Sequence, residues 1–126
     1  MVRQPKARRK KKKVISIDDL DKEFSLRIRK RDGKCMRCGA TNKPLFCMHY
    51  HSRVAMSVRF DDSNAIAGCY SCHLFLEHRK TVEHRNLMID IFGKQEIDAL
   101  EKRYVKTKDG GYTQIERQTF LDKWKL

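Results

Sequence analysis

Two Cys-x-x-Cys pairs constrain this sequence more than any other feature. Cys35 and Cys38 form the first pair, and Cys69 and Cys72 form the second after an interval of thirty residues. Each short turn presents two sulfurs to one side of a metal, so the two pairs together supply the ligands of a tetrahedral zinc site. We therefore expect a structural Zn²⁺. Cys47 lies alone between the pairs, and we expect it to be a small buried hydrophobic residue.

The length and charge predict one small domain that binds a polyanion. A chain of 126 residues buries a modest core, which a structural metal helps to stabilise. Its 29 Lys and Arg residues outnumber 16 Asp and Glu residues, and the net charge of +13 favours nucleic acid as the partner. We expect no membrane association, because the sequence has neither a long apolar stretch nor a lipid-anchor motif. It has no visible signal peptide, so we expect a cytoplasmic protein with reduced cysteines.

Basic residues are densest at the N-terminus. Residues 1–13 contain eight Lys or Arg residues and no acidic residue. Such a run repels itself, so we expect residues 1–15 to form a disordered basic arm. The arm would grip phosphates without sequence preference, or it is a solvated tail. Its candidate contacts are Arg8, Arg9, Lys10, Lys11, Lys12 and Lys13.

The rest of the sequence predicts an α+β fold. A leading helix is predicted over residues 17–31, because Leu20, Phe24 and Ile28 recur every four residues. Short strands are predicted at residues 45–50 and 65–68. Helical patterns follow from about residue 73, from residue 81 to the Gly93 stop, around residues 97–104, and after a capping box at residues 113–116, with a turn at 108–111. We divide the chain into the arm 1–15, a core with its leading helix at 16–93, and a C-terminal helical extension at 94–126.

Three polar residues around the second cysteine pair follow an order typical of one nuclease site. His49 is followed by Asn64, and His73 comes directly after the last cysteine. This order resembles the ββα-metal, or HNH, nucleases, in which two strands carry the first His and the Asn and a helix carries the last His. The resemblance implies a small zinc-stabilised ββα-metal core flanked by helices. Phosphodiester hydrolysis requires a base that activates water and a divalent cation, and a neutral imidazole is a suitable base near pH 7.

The resemblance becomes specific in residues 46–53, 58–64 and 69–76. These segments look like the NinG/Rap recombination endonucleases of lambdoid phages, and a weaker likeness extends over residues 16–126. The resemblance implies cutting of branched recombination intermediates, such as D-loops and Holliday junctions, with little sequence preference, in the bacterial host cell. Symmetric cutting of a junction requires two active sites, so we also consider a homodimer.

The resemblance also implies roles for individual residues. His49 matches the general base, Asn64 matches the residue that braces the loop between the strands, and His73 matches the ligand of a catalytic Mg²⁺ or Mn²⁺. His51 matches a second His of junction-resolving relatives and is another candidate ligand for that cation. Basic residues in the same stretch, Arg53 and Arg59, are expected to grip phosphates.

One position departs from the pattern of HNH nucleases. Many of them place an Asp or His cation ligand directly before the base, where this chain has Met48. His51, Asp61 or Asp62 can supply the missing ligand, or His49 can bind metal instead of acting as the base.

Two other functions stay open at this point. The absent ligand before His49 favours a zinc module that binds nucleic acid without cutting it. The other alternative is an HNH nuclease that acts on ordinary duplex DNA. The remaining histidines, His78 and His84, lie in the helical region, where we expect surface or DNA-facing positions.

Overall fold

The computed structural model describes residues 14–79, 81–105 and 112–125. Its elements are α1 (Ile17–Asp32), β1 (Phe46–His49), a 3₁₀ turn (Asp62–Asn64), β2 (Ala65–Gly68), α2 (Tyr70–Arg79), α3 (Thr81–Phe92), α4 (Lys94–Arg103) and α5 (Gln114–Trp124). The predicted α+β class is confirmed, and the helices and strands lie close to their predicted positions. Residues 1–13 of the predicted arm and the turn predicted at 108–111 lie outside the described residues.

The two strands form an antiparallel pair that leads directly into α2. Phe46 lies opposite Gly68 and His49 lies opposite Ala65. Met48 is buried, and its side chain occupies the space beside Gly68 where a Cβ atom would collide with it. The pairing therefore requires a glycine at position 68 as long as Met48 fills that space.

Helix α1 packs one apolar face against the sheet and α5. Ser16 and Asp19 form a capping box at its start, so two of the amide groups at the helix N-terminus are satisfied. Leu20, Phe24 and Ile28 are buried in one cluster, as the four-residue spacing predicts. Phe60 and residues of α5 complete that cluster.

The start of the described chain is anchored to α5. Ile15 is buried, its N–H donates to Gln114 Oε1, and its carbonyl accepts from Gln114 Nε2 and Arg117 Nη1. Thr113 and Glu116 form the predicted capping box at the start of α5. The packed part of the chain therefore includes Ile15, which the predicted boundary places in the arm.

A second cluster lies on the opposite side of the sheet. It joins Met48 and Ile66 from the strands to residues of α2, α3 and α4, namely Leu76, Met88, Ile97 and Leu100. The sheet is thus held between α1 on one side and the later helices on the other. No helix within the described ranges combines the length and the apolar character needed to cross a membrane.

Candidate zinc centre and candidate active site

Four sulfur atoms converge at the end of the sheet where α2 begins. The Sγ atoms of Cys35, Cys38, Cys69 and Cys72 all lie within 4.8 Å of one another, and those of Cys38 and Cys69 are 3.8 Å apart. Ligands at a Zn–S distance of about 2.3 Å in a tetrahedron are separated by roughly 3.8 Å, so the donors fit Zn²⁺ in kind and in spacing. Cys47 lies outside this group and packs beside the α1 cluster, where burial raises the pKa of its thiol to about 12.

The chain around the cysteines orients the sulfurs. The Cys38 N–H donates to Cys35 Sγ, and Gly39 has a φ of +78°, which lets the chain turn back after the first pair. The Ser71 hydroxyl, more than any other group, lowers the pKa of Cys69, whereas burial raises the pKa of Cys72. Arg37 Nη1 donates to Cys72 Sγ at 3.4 Å.

A cavity of about 970 Å³ is lined by β1 and the segment after it together with residues of α1, α2 and α3. Imidazoles reach its wall from three elements: His49 from β1, His73 from α2 and His84 from α3. Glu77, one helical turn after His73, lines the same cavity. His49 and His73 both line this cavity, His49 with its ring against Phe24 of α1 and His73 with its ring beside Phe46 at the start of β1.

His49 is held in a defined tautomer. Its Nε2 lies 2.9 Å from the carbonyl oxygen of Arg59, which can only accept, so Nε2 carries the hydrogen and Nδ1 keeps its lone pair. Its ring also packs against Phe24 with a centroid distance of 5.6 Å. Burial lowers the pKa of His49, and the nearby charge of Arg53 lowers it further, while the bond to the Arg59 carbonyl raises it. The net shift favours a neutral imidazole near pH 7.

Asn64 braces the segment that follows β1. Its Oδ1 accepts from the His51 N–H at 2.8 Å, and its Nδ2 donates to the carbonyls of His51 and Val58 at 3.2 and 3.0 Å. The side chain is fully buried, so these bonds compete little with water. Asn64 therefore ties both ends of the segment between the strands together and does not line the cavity.

His51 and His84 differ from their expected positions. His51 does not line the cavity and stacks on Tyr104 with a centroid distance of 4.3 Å. The expectation that His84 lies on the surface is wrong, since it is only 8% exposed and contacts the ring of Tyr50. Helix α3 turns it inward beside the sheet.

The Nε2 atoms of His51 and His84 are both buried without a hydrogen-bond partner among the described residues. Burial, and to a lesser extent His51 and His73, lower the pKa of His84 to about 4.

The two arginines expected to grip phosphate occupy different environments. Arg53 lines the cavity with a side chain that is 62% exposed, and its Nη1 lies 3.7 Å from Asp21 Oδ2. Arg59 forms a two-pronged ion pair with Asp21 and also donates to the Arg53 carbonyl, and its side chain is 15% exposed. These contacts occupy the donors of Arg59. The predicted contact of Arg59 with phosphate would therefore require the ion pair with Asp21 to open. The side chain of His78 and the six basic residues of the arm lie outside the described part of the chain.

The acidic residues considered as substitutes for the missing ligand are engaged elsewhere. Asp61 pairs with Arg103 at 2.9 Å, and Asp62 pairs with Arg27 at 3.1 Å. Neither lines the cavity. Glu77 was not singled out in the sequence, although its position four residues after His73 on a helix is a signal that would have identified it.

Of three comparisons with known proteins, one gave a match. A search of the curated proteins and a search of the solved structures each gave no match. A family model described as "Bacteriophage Lambda NinG protein" matches residues 1–123, which is nearly the whole chain. On that match, the chain belongs to the NinG family of bacteriophage proteins.

Proposed function

We propose that this protein is a metal-dependent DNA endonuclease of the HNH type that cuts branched recombination intermediates. The observation that carries the proposal is the cavity lined by both His49 of β1 and His73 of α2. The four-cysteine cluster lies where the second strand enters that helix, so a bound Zn²⁺ would fix the strands and helix relative to each other.

His49 is the residue best suited to activate water. A general base must be unprotonated and must present a lone pair to the proton that it removes. With Nε2 committed to the Arg59 carbonyl, Nδ1 of the neutral ring provides that lone pair. Asn64 supports this role indirectly, because it holds the segment that follows His49.

His73 and Glu77 are the residues that would hold the catalytic cation. They line the cavity one helical turn apart and offer the nitrogen and oxygen ligands that suit Mn²⁺, or Mg²⁺ with retained waters. A bound cation would stabilise negative charge on the phosphate and on the leaving oxygen. His51, the other ligand named from the resemblance, would have to leave its stack on Tyr104 to take part.

The net charge of the chain favours a nucleic-acid substrate. The chain as a whole carries +13, and Arg29 and Arg53 line the cavity together with Asp21 and Glu77. Such a surface attracts the phosphate backbone whatever the base sequence. Selectivity for branches, as in D-loops and Holliday junctions, is the part of the proposal that rests on the likeness to recombination endonucleases.

A non-catalytic role in binding nucleic acid is the second candidate. The buried side chain of Met48 directly before His49 excludes a cation ligand at that position, and this observation favours the second candidate. Binding to DNA would then persist without any cleavage, and the zinc cluster would serve only the fold.

Cleavage of a matched set of DNA substrates tests the proposal. A linear duplex, a fork, a D-loop and a four-way junction of shared sequence are incubated with Mg²⁺, Mn²⁺ or no added divalent cation. We expect cation-dependent cleavage of the branched substrates. His49→Gln, whose amide can still donate to the Arg59 carbonyl, should lower the rate roughly 10²- to 10⁴-fold.

Asn86→Gln is the control, since it changes an exposed residue of α3 outside the cavity. Zinc content and melting temperature are measured for both variants to exclude loss of the fold. If wild-type protein binds the branched DNA but never cuts it, the nuclease proposal is wrong and the non-catalytic binding role is supported. Equal cleavage of the linear duplex would identify a nuclease without branch selectivity.

A further inference from the structure

Two aromatic rings lie exposed beside the cavity. Phe46, at the start of β1, is 42% exposed and lines the cavity, and Tyr70, in the first turn of α2, is 63% exposed. Their ring centroids are 6.3 Å apart, and the Phe46 ring is 6.4 Å from that of His73. The rings therefore adjoin the imidazole that would hold the cation.

The core does not account for these two rings. Neither belongs to any of the three buried clusters, whereas Phe24 and Phe60 are fully incorporated in one of them. Large apolar side chains that stay exposed as neighbours indicate a contact surface more often than isolated ones do. Since one of the rings forms part of the cavity wall, the surface is continuous with the proposed active site.

The net charge of the chain and the rings together indicate the kind of ligand. The chain carries +13 and attracts a polyanion, Arg29 and Arg53 line the cavity together with Asp21 and Glu77, and the rings attract a flat apolar face. A nucleotide combines a phosphate with such a face. In a continuous duplex the faces of the bases are covered by their neighbours, so only an unpaired or unstacked base offers one.

We infer that Phe46 and Tyr70 form a stacking platform for an unpaired base next to the phosphate that is cut. This inference rests on the proposed function and deepens it, because it explains selection of branched DNA without base-specific contacts. A branch point exposes unpaired bases, and aromatic stacking accepts any of them. Arg29 and Arg53 on the cavity wall would then contact the adjoining backbone.

The test measures binding and stacking separately from cleavage. Zinc-loaded full-length protein without added divalent cation is titrated with a fork that carries 2-aminopurine in an unpaired position at the branch, and with a linear duplex of the same sequence. The variants are Phe46→Leu and Tyr70→Leu, singly and together, which keep apolar area but remove the ring. Ile115→Ala, at an exposed apolar position on α5, is the control.

We expect wild-type protein to quench the 2-aminopurine fluorescence and to prefer the fork. Stacking of one base on an aromatic side chain corresponds to roughly 5- to 150-fold in affinity. The double variant should lose a factor in this range for the fork, lose the quenching and leave duplex binding unchanged. Ile115→Ala should match wild type.

Other results would overturn the inference. Equal loss of fork and duplex binding would mean that the rings contact the backbone or support the fold. A change in sedimentation of the double variant would mean that the rings cover a second copy of the chain. Quenching by wild-type protein that cuts no DNA would remove the nuclease proposal and keep the platform. Cleavage that stays branch-selective in the double variant would remove the platform alone.

Discussion

The four-cysteine cluster and the imidazole cavity lie next to each other but are built in different ways. Each cysteine pair comes from one short turn, and all four sulfurs converge within 4.8 Å. The cavity imidazoles come from β1, α2 and α3. Apart from the cysteines, no three metal-binding side chains in the described ranges converge to a comparable degree. Each half of the cluster is thus local and the two halves meet at one metal site, whereas every imidazole of the cavity depends separately on the packing of its own element.

The comparison predicts that damage to the cluster removes the fold, while damage to the cavity changes chemistry and local stability. Structural zinc binding contributes about 10–16 kcal/mol in small zinc-dependent folds, which exceeds the total stability of many domains. Cys69→Ser should therefore abolish zinc binding and unfold the protein, as measured by metal content and circular dichroism. Cys47→Ala is the control and should keep its zinc. A folded Cys69→Ser protein without metal would break the comparison.

Loss of the hydrogen bonds made by Asn64 should have the second-largest effect. Asn64→Asp removes two donated hydrogen bonds and places a carboxylate beside the carbonyls of His51 and Val58. We expect a loss of about 3 kcal/mol in the free energy of unfolding, because these buried groups lose their partners. Urea unfolding measures the loss, and Asn86→Asp on the exposed face of α3 is the control. Zinc content should stay at the wild-type level, and its loss would mean that the two regions are one unit.

The ion pair that supports His49 should matter less. Asp21→Asn removes the charge that Arg59 pairs with, and Arg59 in turn supplies the carbonyl that accepts from His49. Hydrogen bonds to charged groups contribute about 1.5–3 kcal/mol, so we expect the free energy of unfolding to fall by about 2 kcal/mol. The cleavage rate should fall as well, because the orientation of His49 is loosened. Glu23→Gln, at an exposed position on α1, should change neither quantity.

His84 should give the smallest effect and a pH dependence. Its pKa is about 4 in the folded protein against 6.5 for an unperturbed histidine, so the unfolded chain gains a proton first as the pH falls. The contribution of the neutral His84 ring to the free energy of unfolding is thus fully present above pH 6.5 and is lost as the pH falls toward 4. Between pH 7.5 and 5.5, wild type should lose about 1 kcal/mol more than His84→Leu. Zinc release by acid is common to both proteins, so the difference isolates His84, and identical pH profiles would contradict the buried position.

The sequence predicts local features of this fold well and long-range contacts poorly. The caps at Ser16 and Thr113 and the cysteine pairs depend on neighbours within a few residues, and each lies where it was expected. The partner of Arg59 is Asp21, thirty-eight positions away, so an arginine expected to meet phosphate instead joins the loop to α1. His84 lines the cavity and His51 does not, contrary to the expectation from the sequence. This difference also depends on a long-range contact, because helix α3 carries His84 to the sheet.

The contact between Met48 and Gly68 limits how this protein can change over generations. An aspartate at position 48 would create the arrangement more common among HNH nucleases, but alone it would leave a hole beside Gly68 and a carboxylate in an apolar environment. A larger residue at position 68 would fill that hole, yet it clashes while methionine is present. Either substitution alone is expected to lower stability, so the two positions are expected to change together. The contact thus couples the residue before His49 to a position in the other strand.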